Sequence, residues 1–313
     1  MFNLMTEPLA MSDDLVETEN RAWLGRVTCG WKKPNLSLED VLRYWRDVHS
    51  PSIARRPGIW EYRHFQFDPV RPDLAGSVQG VELECPAGEQ LMWTSDVRYA
   101  GQTDLDAFSG EPNPAIRGHM LADIELIVDQ STTYRVVKER GRTYVDRSGD
   151  PAPQGKPTLP TFALFFRQAG TESEFQAFLS AVSVQLAADP AVVRLRLAQF
   201  EAPDMEAERK SGYPIKTHPL ERQYQAWIDI TLKCETDLAR LLEQSELNTQ
   251  VKVMHIYPVR AIYTSNRAGK PTFVGLRGYG AFAALKALGG TNQAEPSLLE
   301  WMYGPVAIGV PAP

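Results

Sequence analysis

Five histidines are scattered through the 313 residues, at positions 49, 64, 119, 218 and 255, and the side chains best suited to chemistry gather around the first two. His49 ends a run of helical period in YWRDVHSPSIARR (44–56), and His64 sits in WEYRHFQF (60–67), which alternates like a strand. Imidazole is the side chain whose ordinary pKa suits proton transfer near neutral pH. The negative end of a helix favours its charged form and burial opposes it. Leu38, Val41, Leu42, Trp45, Val48 and His49 follow the i, i+3, i+4, i+7 pattern, so Trp45 and His49 belong to a stripe that packs on a sheet. Such a position also suits a buried histidine bonded to a backbone carbonyl, and both readings stand at this point.

Other groups can complete a site. Trp60, Tyr62 and His64 share one face of their strand and Phe65 and Phe67 the other, which leaves the first face on solvent or on the wall of a barrel interior. In the next strand, 89–100, Trp93 and Tyr99 share a face, and Asp96 on the opposite face can orient a histidine or pair with Arg98. Arg55 and Arg56 can hold a carboxylate or phenolate, or remain a solvated pair of charges. The expected catalytic set is therefore His49, His64, Tyr62 and Asp96. Trp45, Arg55, Arg56, Trp60, Trp93 and Tyr99 are the expected substrate contacts.

Several chemistries lack their motifs. No histidine spacing of the H-x-x-x-H kind, no G-x-S-x-G elbow and no P-loop occurs, and Cys29, Cys85 and Cys234 fit neither a disulfide framework nor a thiolate metal site. Gly278, Gly280 and Ala283 satisfy G-x-G-x-x-A, but too little chain follows for the strand that a dinucleotide site requires. The net charge of −6 argues against nucleic acid as a partner. The acidic N-terminus and the lack of a long apolar run predict neither secretion nor a membrane span, hence a cytoplasmic protein with a small-molecule substrate, as a monomer or homodimer.

The elements that must position these residues come in two similar series. WLGRVTC (23–29), a helix over 37–50 with Ser37 as N-cap and Pro51 as its stop, strands at 60–67 and 89–100, a helix within 103–128 and a strand at 131–139 give the order β-α-β-β-α-β. After ERGRTYVDRSGDPAPQGKPTLP (139–160), with four prolines and three glycines, the same order repeats from 161 to 264. The chain is read as a flexible tail (1–20), a first ferredoxin-like domain (21–140), a linker (141–159), a second ferredoxin-like domain (160–265) and a C-terminal helical extension (266–313) anchored by Trp301 and Tyr303. A ferredoxin-like sheet has helices on one face only, so two such sheets bury their bare faces against each other. The fold class is α+β, an intrachain barrel. The polar insertion 202–222, with Tyr213, Lys216 and His218, reads as a lid or a surface loop.

The stretch from Arg26 to Phe67, above all YWRDVHSPSIARRPGIWEYRHFQ, resembles the EthD-like family of dimeric α+β barrel proteins, whose first helix ends in an aromatic-rich run with H-x-P or H-S-P. Residues 160–264 match by order of elements alone. The resemblance implies the barrel fold and a range of activities, since the superfamily holds cofactor-free lyases, isomerases and monooxygenases beside haem enzymes. The expected function is a cofactor-free lyase or isomerase acting on a small aromatic compound in a barrel pocket, with His49 moving the proton. Two alternatives remain: a haem enzyme with His255 or His218 as axial ligand, and a non-catalytic ligand-binding barrel.

Overall fold

The structure, a computed structural model, describes residues 11–110, 114–137, 139–203, 206 and 217–307. A first series runs β1 (Leu24–Lys32), α2 (38–54), β2 (Glu61–Phe67), β3 (Trp93–Tyr99), α3 (Gln102–Gly110), α4 (Pro114–Ile127) and β4 (Val128–Val136), preceded by α1 (Met11–Asn20). After β5 (Gly141–Asp146), a second series runs β6 (Thr161–Gln168), α5 (Glu172–Ala188), β7 (Val192–Gln199), β8 (Ala226–Leu232), α6 (Asp237–Glu243) and β9 (Val251–Arg267). The helices α7 (Phe273–Arg277), α8 (Tyr279–Leu288) and α9 (Pro296–Tyr303) follow.

The strands lie in the order β4-β1-β3-β2-β9-β6-β8-β7-β5, all antiparallel. Each series contributes the order fourth-first-third-second, which defines a ferredoxin-like unit, and the two units are joined edge to edge through β2 and β9. On the far side an isolated bridge between Arg135 and Glu201 brings β4 against the end of β7 and closes the barrel. The fold class is α+β with a C-terminal helical extension.

Large aromatic side chains pack the barrel interior. Phe65, Phe67, Phe165, Trp227 and Tyr257 fill its middle, with Phe65 and Trp227 edge to face at 5.1 Å between ring centroids. One end is filled by ion pairs. Glu19 of α1 reaches Arg63 at 2.5 Å and both Arg194 and Arg196 at 3.1 Å, while Thr143 donates a hydrogen bond to it at 2.6 Å. A pocket inside the barrel was expected; among the described residues the inward strand faces carry large aromatics or interlocked charges instead.

Two further expectations are corrected. Within the tail expected over 1–20, residues 11–20 form α1, pinned by the buried Glu19, while residues 1–10 lie outside the described residues. Much of the linker expected over 141–159 is built into the sheet, because β5 pairs with β7 and Gln154–Gly155 pairs with β9. Gly141 and Gly155 lie within these pairings and the prolines between or just beyond them, rather than marking a free connection.

The helix that carries His49 also differs from expectation. Ser37 caps it through a hydrogen bond from the Asp40 amide, yet Pro51 does not stop it. The segment Trp45–His49 is a π-helical turn, in which the Ser50 amide reaches back to the Trp45 carbonyl, and a last helical turn, Ser50–Ala54, then contains Pro51. Proline lacks an N–H and clashes with the carbonyl four residues earlier. Widening the preceding turn relieves that clash and lets the helix continue.

Candidate active site

A cavity of about 740 Å³ lies outside the barrel, between the outer face of β1, β3 and β4 and the helices α2, α3 and α4. Strand alternation explains which residues reach it. The even residues of β1 and the odd residues of β3 face outward, and Tyr62 and His64 of β2 lie on the same side. His49, Trp45, Tyr62 and Tyr99 line the cavity, with Ile53, Leu105, Phe108 and Ile124 as apolar walls.

His49 is 4% exposed, and its Nδ1 lies 2.6 Å from a carboxylate oxygen of Asp123 on α4. Asp123 also accepts a hydrogen bond from the Tyr44 hydroxyl. Burial pushes the Asp123 carboxyl up, but the bonds from His49 and Tyr44 outweigh it and hold the group below its usual range. The same bond to Asp123, with some burial, pushes the Tyr44 phenol up to about 12. With Nδ1 donating to an ionised Asp123, the remaining lone pair is on Nε2, the nitrogen left for a molecule in the cavity. The Trp45 ring covers one side of the imidazole at 4.3 Å between centroids, and its indole N–H donates to Ser95.

Tyr62 is bound to Ser50 at 2.9 Å and approaches Ser95 at 3.5 Å, and burial raises its phenol, so it is a neutral hydroxyl beside His49's helix. His64 is fully buried behind Trp45, 6.0 Å away between ring centroids, and does not line the cavity. Burial, with the nearby His49 and Arg46, lowers its pKa to about 3, so it is a neutral packing residue at physiological pH. Trp93 lies tilted behind Trp45 at 5.0 Å between ring centroids, and Trp60 bonds to the Thr18 carbonyl of α1; neither of these expected substrate contacts lines the cavity.

Further expected roles do not match the placement. Asp96 is on the inward face of β3, where Arg98 at 2.6 Å and Arg196 at 3.3 Å hold it; a buried carboxylate there needs those cations, and no histidine is among its partners. Arg55 donates to the Leu276 carbonyl at 2.5 Å and covers the Tyr303 ring, while Arg56 donates to the Phe108 carbonyl and stacks on its ring at 3.8 Å. Both arginines fasten helices to one another. Trp301, expected as an anchor of the extension, is 82% exposed, and Leu299 packs in its place.

Asp123 and Tyr44 are the residues that the sequence reading missed. Asp123 adjoins Met120, Ile124 and Ile127, so an acid on the apolar stripe of α4 was the available signal. Within the insertion 202–222, Tyr213 and Lys216 lie outside the described residues, and His218 stacks flat on Trp31 at 4.1 Å. Gly278 of the G-x-G-x-x-A run starts α8 at φ +79, pressed against the Asp47 backbone, where a Cβ would stand 3.2 Å from the Asp47 carbonyl oxygen. There Asp47 accepts from the Tyr279 amide at 2.9 Å, so the run is a helix cap.

The histidines expected as haem ligands do not fit that role. His255 Nε2 meets the Glu84 carbonyl at 3.2 Å and Nδ1 meets the Tyr224 hydroxyl at 2.6 Å, so both nitrogens are engaged inside the packed barrel. His218 is clamped against Trp31, and neither residue lines the 740 Å³ cavity.

Topology and site together define a tandem ferredoxin-like α+β barrel chain with a histidine-bearing cavity on the outer face of its first sheet. No family model matches it, and no curated protein does either. Among solved structures it is similar to a monooxygenase-like protein from Fusobacterium nucleatum, with a TM-score of 0.44, 8% identity, and 80% of this chain and 97% of that chain covered. It is also similar to an anthrone oxidase-like protein, with a TM-score of 0.45, 8% identity and coverages of 78% and 93%. A dye-decolorizing peroxidase from Bacteroides thetaiotaomicron is similar at a TM-score of 0.38, 7% identity and coverages of 77% and 93%. Likeness at this level says nothing about the reaction. Among the described residues no helix is long and apolar enough to cross a membrane.

Proposed function

We propose that the cavity is the active site of a cofactor-free enzyme, a lyase or isomerase, in which His49 takes a proton from, and returns it to, a small aromatic substrate. The observation that carries this reading is the Asp123–His49 pair at the cavity wall. An ionised carboxylate on Nδ1 fixes the tautomer and the ring orientation and stabilises the imidazolium formed when Nε2 accepts a proton. Tyr62, neutral and bonded to Ser50, is a hydroxyl that can donate to an oxygen developing negative charge. The apolar walls favour a flat ring, and the cavity volume is in the range of small-molecule sites.

The test is proton exchange. Purified protein is incubated in D2O with a panel of small aromatic compounds carrying an activated C–H, and deuterium incorporation is read by mass spectrometry. The wild type is expected to label at least one compound, and His49→Ala to lose about 10²–10⁴-fold of that rate. Labelling retained within about threefold in His49→Ala would remove His49 from the chemistry. A cavity that binds these compounds and labels none would make the protein a carrier. A Soret band in the purified protein would overturn the cofactor-free reading.

A further inference from the structure

Resting on the reading of this cavity as the site of proton transfer by His49, we propose that the substrate carries a carbonyl group next to the carbon that loses the proton, and that the Ser95 and Tyr62 hydroxyls together hold its oxygen. In that step the C–H electron pair forms a C=C bond as the carbonyl π pair moves onto oxygen, the proton goes to Nε2 of His49, and the two hydroxyls bond the enolate oxygen. Return of the proton to the same carbon restores the substrate, so exchange needs no further reactant. The strands and α2 bring these groups together. Ser95 is on the outward face of β3 and lines the cavity with Tyr62 and His49. Tyr62 is bonded at 2.9 Å to Ser50, the residue after His49. Trp45 lies beside both base and donor: its ring is 4.3 Å from the imidazole between centroids, and its indole nitrogen is 3.2 Å from Ser95 Oγ.

The hydroxyls at this wall hold more protons than acceptors. Ser50, Tyr62 and Ser95 carry one hydroxyl proton each, and among the described residues the contacts that receive them are Ser50–Tyr62 and Tyr62–Ser95. One proton is left over. An indole N–H can only donate, so Ser95 Oγ accepts the bond from Trp45 and keeps its own proton for another partner. Thr28, opposite Ser95 on β1, pairs with Thr133 at 3.0 Å rather than with Ser95. Ser50 is buried and does not line the cavity, so donation from Ser50 to Tyr62 avoids an unpaired buried donor and leaves the spare proton on the cavity side. Burial keeps the Tyr62 phenol neutral, with its proton in place. The Tyr62–Ser95 contact, at 3.5 Å, is long for a hydrogen bond between hydroxyls and is readily given up for a closer acceptor. Two hydroxyl oxygens so spaced can each approach one further oxygen to about 2.7 Å, which makes a two-donor oxyanion site.

The experiment is a binding titration with 4-nitrophenol, whose phenolate is a flat ring bearing an enolate-like oxygen and whose absorption reports its ionisation, and with its methyl ether, 4-nitroanisole. It is run on wild type, Ser95→Ala, Ser95→Cys and Tyr62→Phe. Wild type is expected to bind the phenol at least about tenfold more tightly than the ether, and the bound phenol to ionise at a lower pH than the free one, since donors to the oxygen favour its charged form. Ser95→Ala and Tyr62→Phe are each expected to weaken phenol binding by about 10- to 100-fold, and Ser95→Cys, which keeps the shape with a poorer donor, by about three- to tenfold, with ether binding unchanged within about twofold. A merely structural role would weaken phenol and ether alike and leave the ionisation of the bound phenol where it was. Should the Ser95→Ala chain fail to fold, Ser95→Cys carries the comparison. Equal binding of phenol and ether by wild type, absence of phenol binding at millimolar concentration, or a preference for the phenol left unchanged by the Ser95 variants or by Tyr62→Phe would each overturn the proposal. Binding is read without turnover, so failure of the deuterium experiment leaves these donors standing, and failure here leaves proton transfer by His49 standing.

Discussion

The pair that matters most is a histidine and an aspartate 74 positions apart, brought within 2.6 Å by two helices. Asp123 does not line the cavity, so it acts through the imidazole rather than on a ligand. Asp123→Asn keeps the volume but removes the anion, and is expected to lower kcat by about tenfold or more while KM stays within about twofold. A KM that rises in step would mean that Asp123 shapes the cavity instead. His49 was visible in the sequence because its helix has a clear stripe. Its partner was not, because α4 was placed only within 103–128 and no face was assigned to it. The arginine pair at 55–56 misled for another reason: exposed cations look alike in a sequence, and only the chain packed over them decides whether they meet a solute or a carbonyl.

Individual elements were mostly legible, whereas the direction in which their faces point was not. β2 and β3 are buried on both faces along their whole length. When one side of a strand meets helices and the other meets a filled barrel, the alternation of polar and apolar residues that reveals an inside is lost. Asp96 was therefore placed as a candidate partner for a histidine when it belongs to the ionic plug at the barrel's end. α1 has the opposite history: a segment read as a loose tail closes that plug with Glu19. Burial alone would push the Glu19 carboxyl up, but Arg194, Arg63 and Arg196 hold it well below its usual range. Glu19→Ala leaves three buried guanidinium groups short of a counter-charge. A loss of about 3–5 kcal/mol in urea unfolding is expected. A loss below about 1 kcal/mol would mean that α1 merely rests on the surface.

Taken as a whole, the molecule should be acid-sensitive. His64, His218 and His255 are buried as neutral groups, with burial lowering them to about 3, 4 and 4. Unfolded, each would bind a proton near its ordinary value of about 6.5, so the unfolded chain takes up more protons as the pH falls from there towards 4 or 3. Their contribution to stability is complete above about 6.5 and is lost through that window, at up to about 1.4 kcal/mol per pH unit for a fully buried group such as His64. Asp123, whose pKa is depressed, adds a loss of the same sign below the usual carboxylate range. The urea midpoint is thus expected to fall steadily from pH 7 to pH 5. A midpoint that is flat or rises on acidification would contradict the neutral burial of these rings.

The long strand β9 has a consequence for synthesis. Its first part pairs with β6 and its last part with β2, so the edge of the first sheet is covered by residues made about 190 positions after that edge leaves the ribosome. During that interval β2, buried on both sides in the finished barrel, offers an open row of amides and carbonyls to any neighbouring strand. A nascent chain stalled after the first unit should therefore be prone to strand-to-strand association. Supplying residues 160–267 as a separate chain would offer the missing partner for that edge.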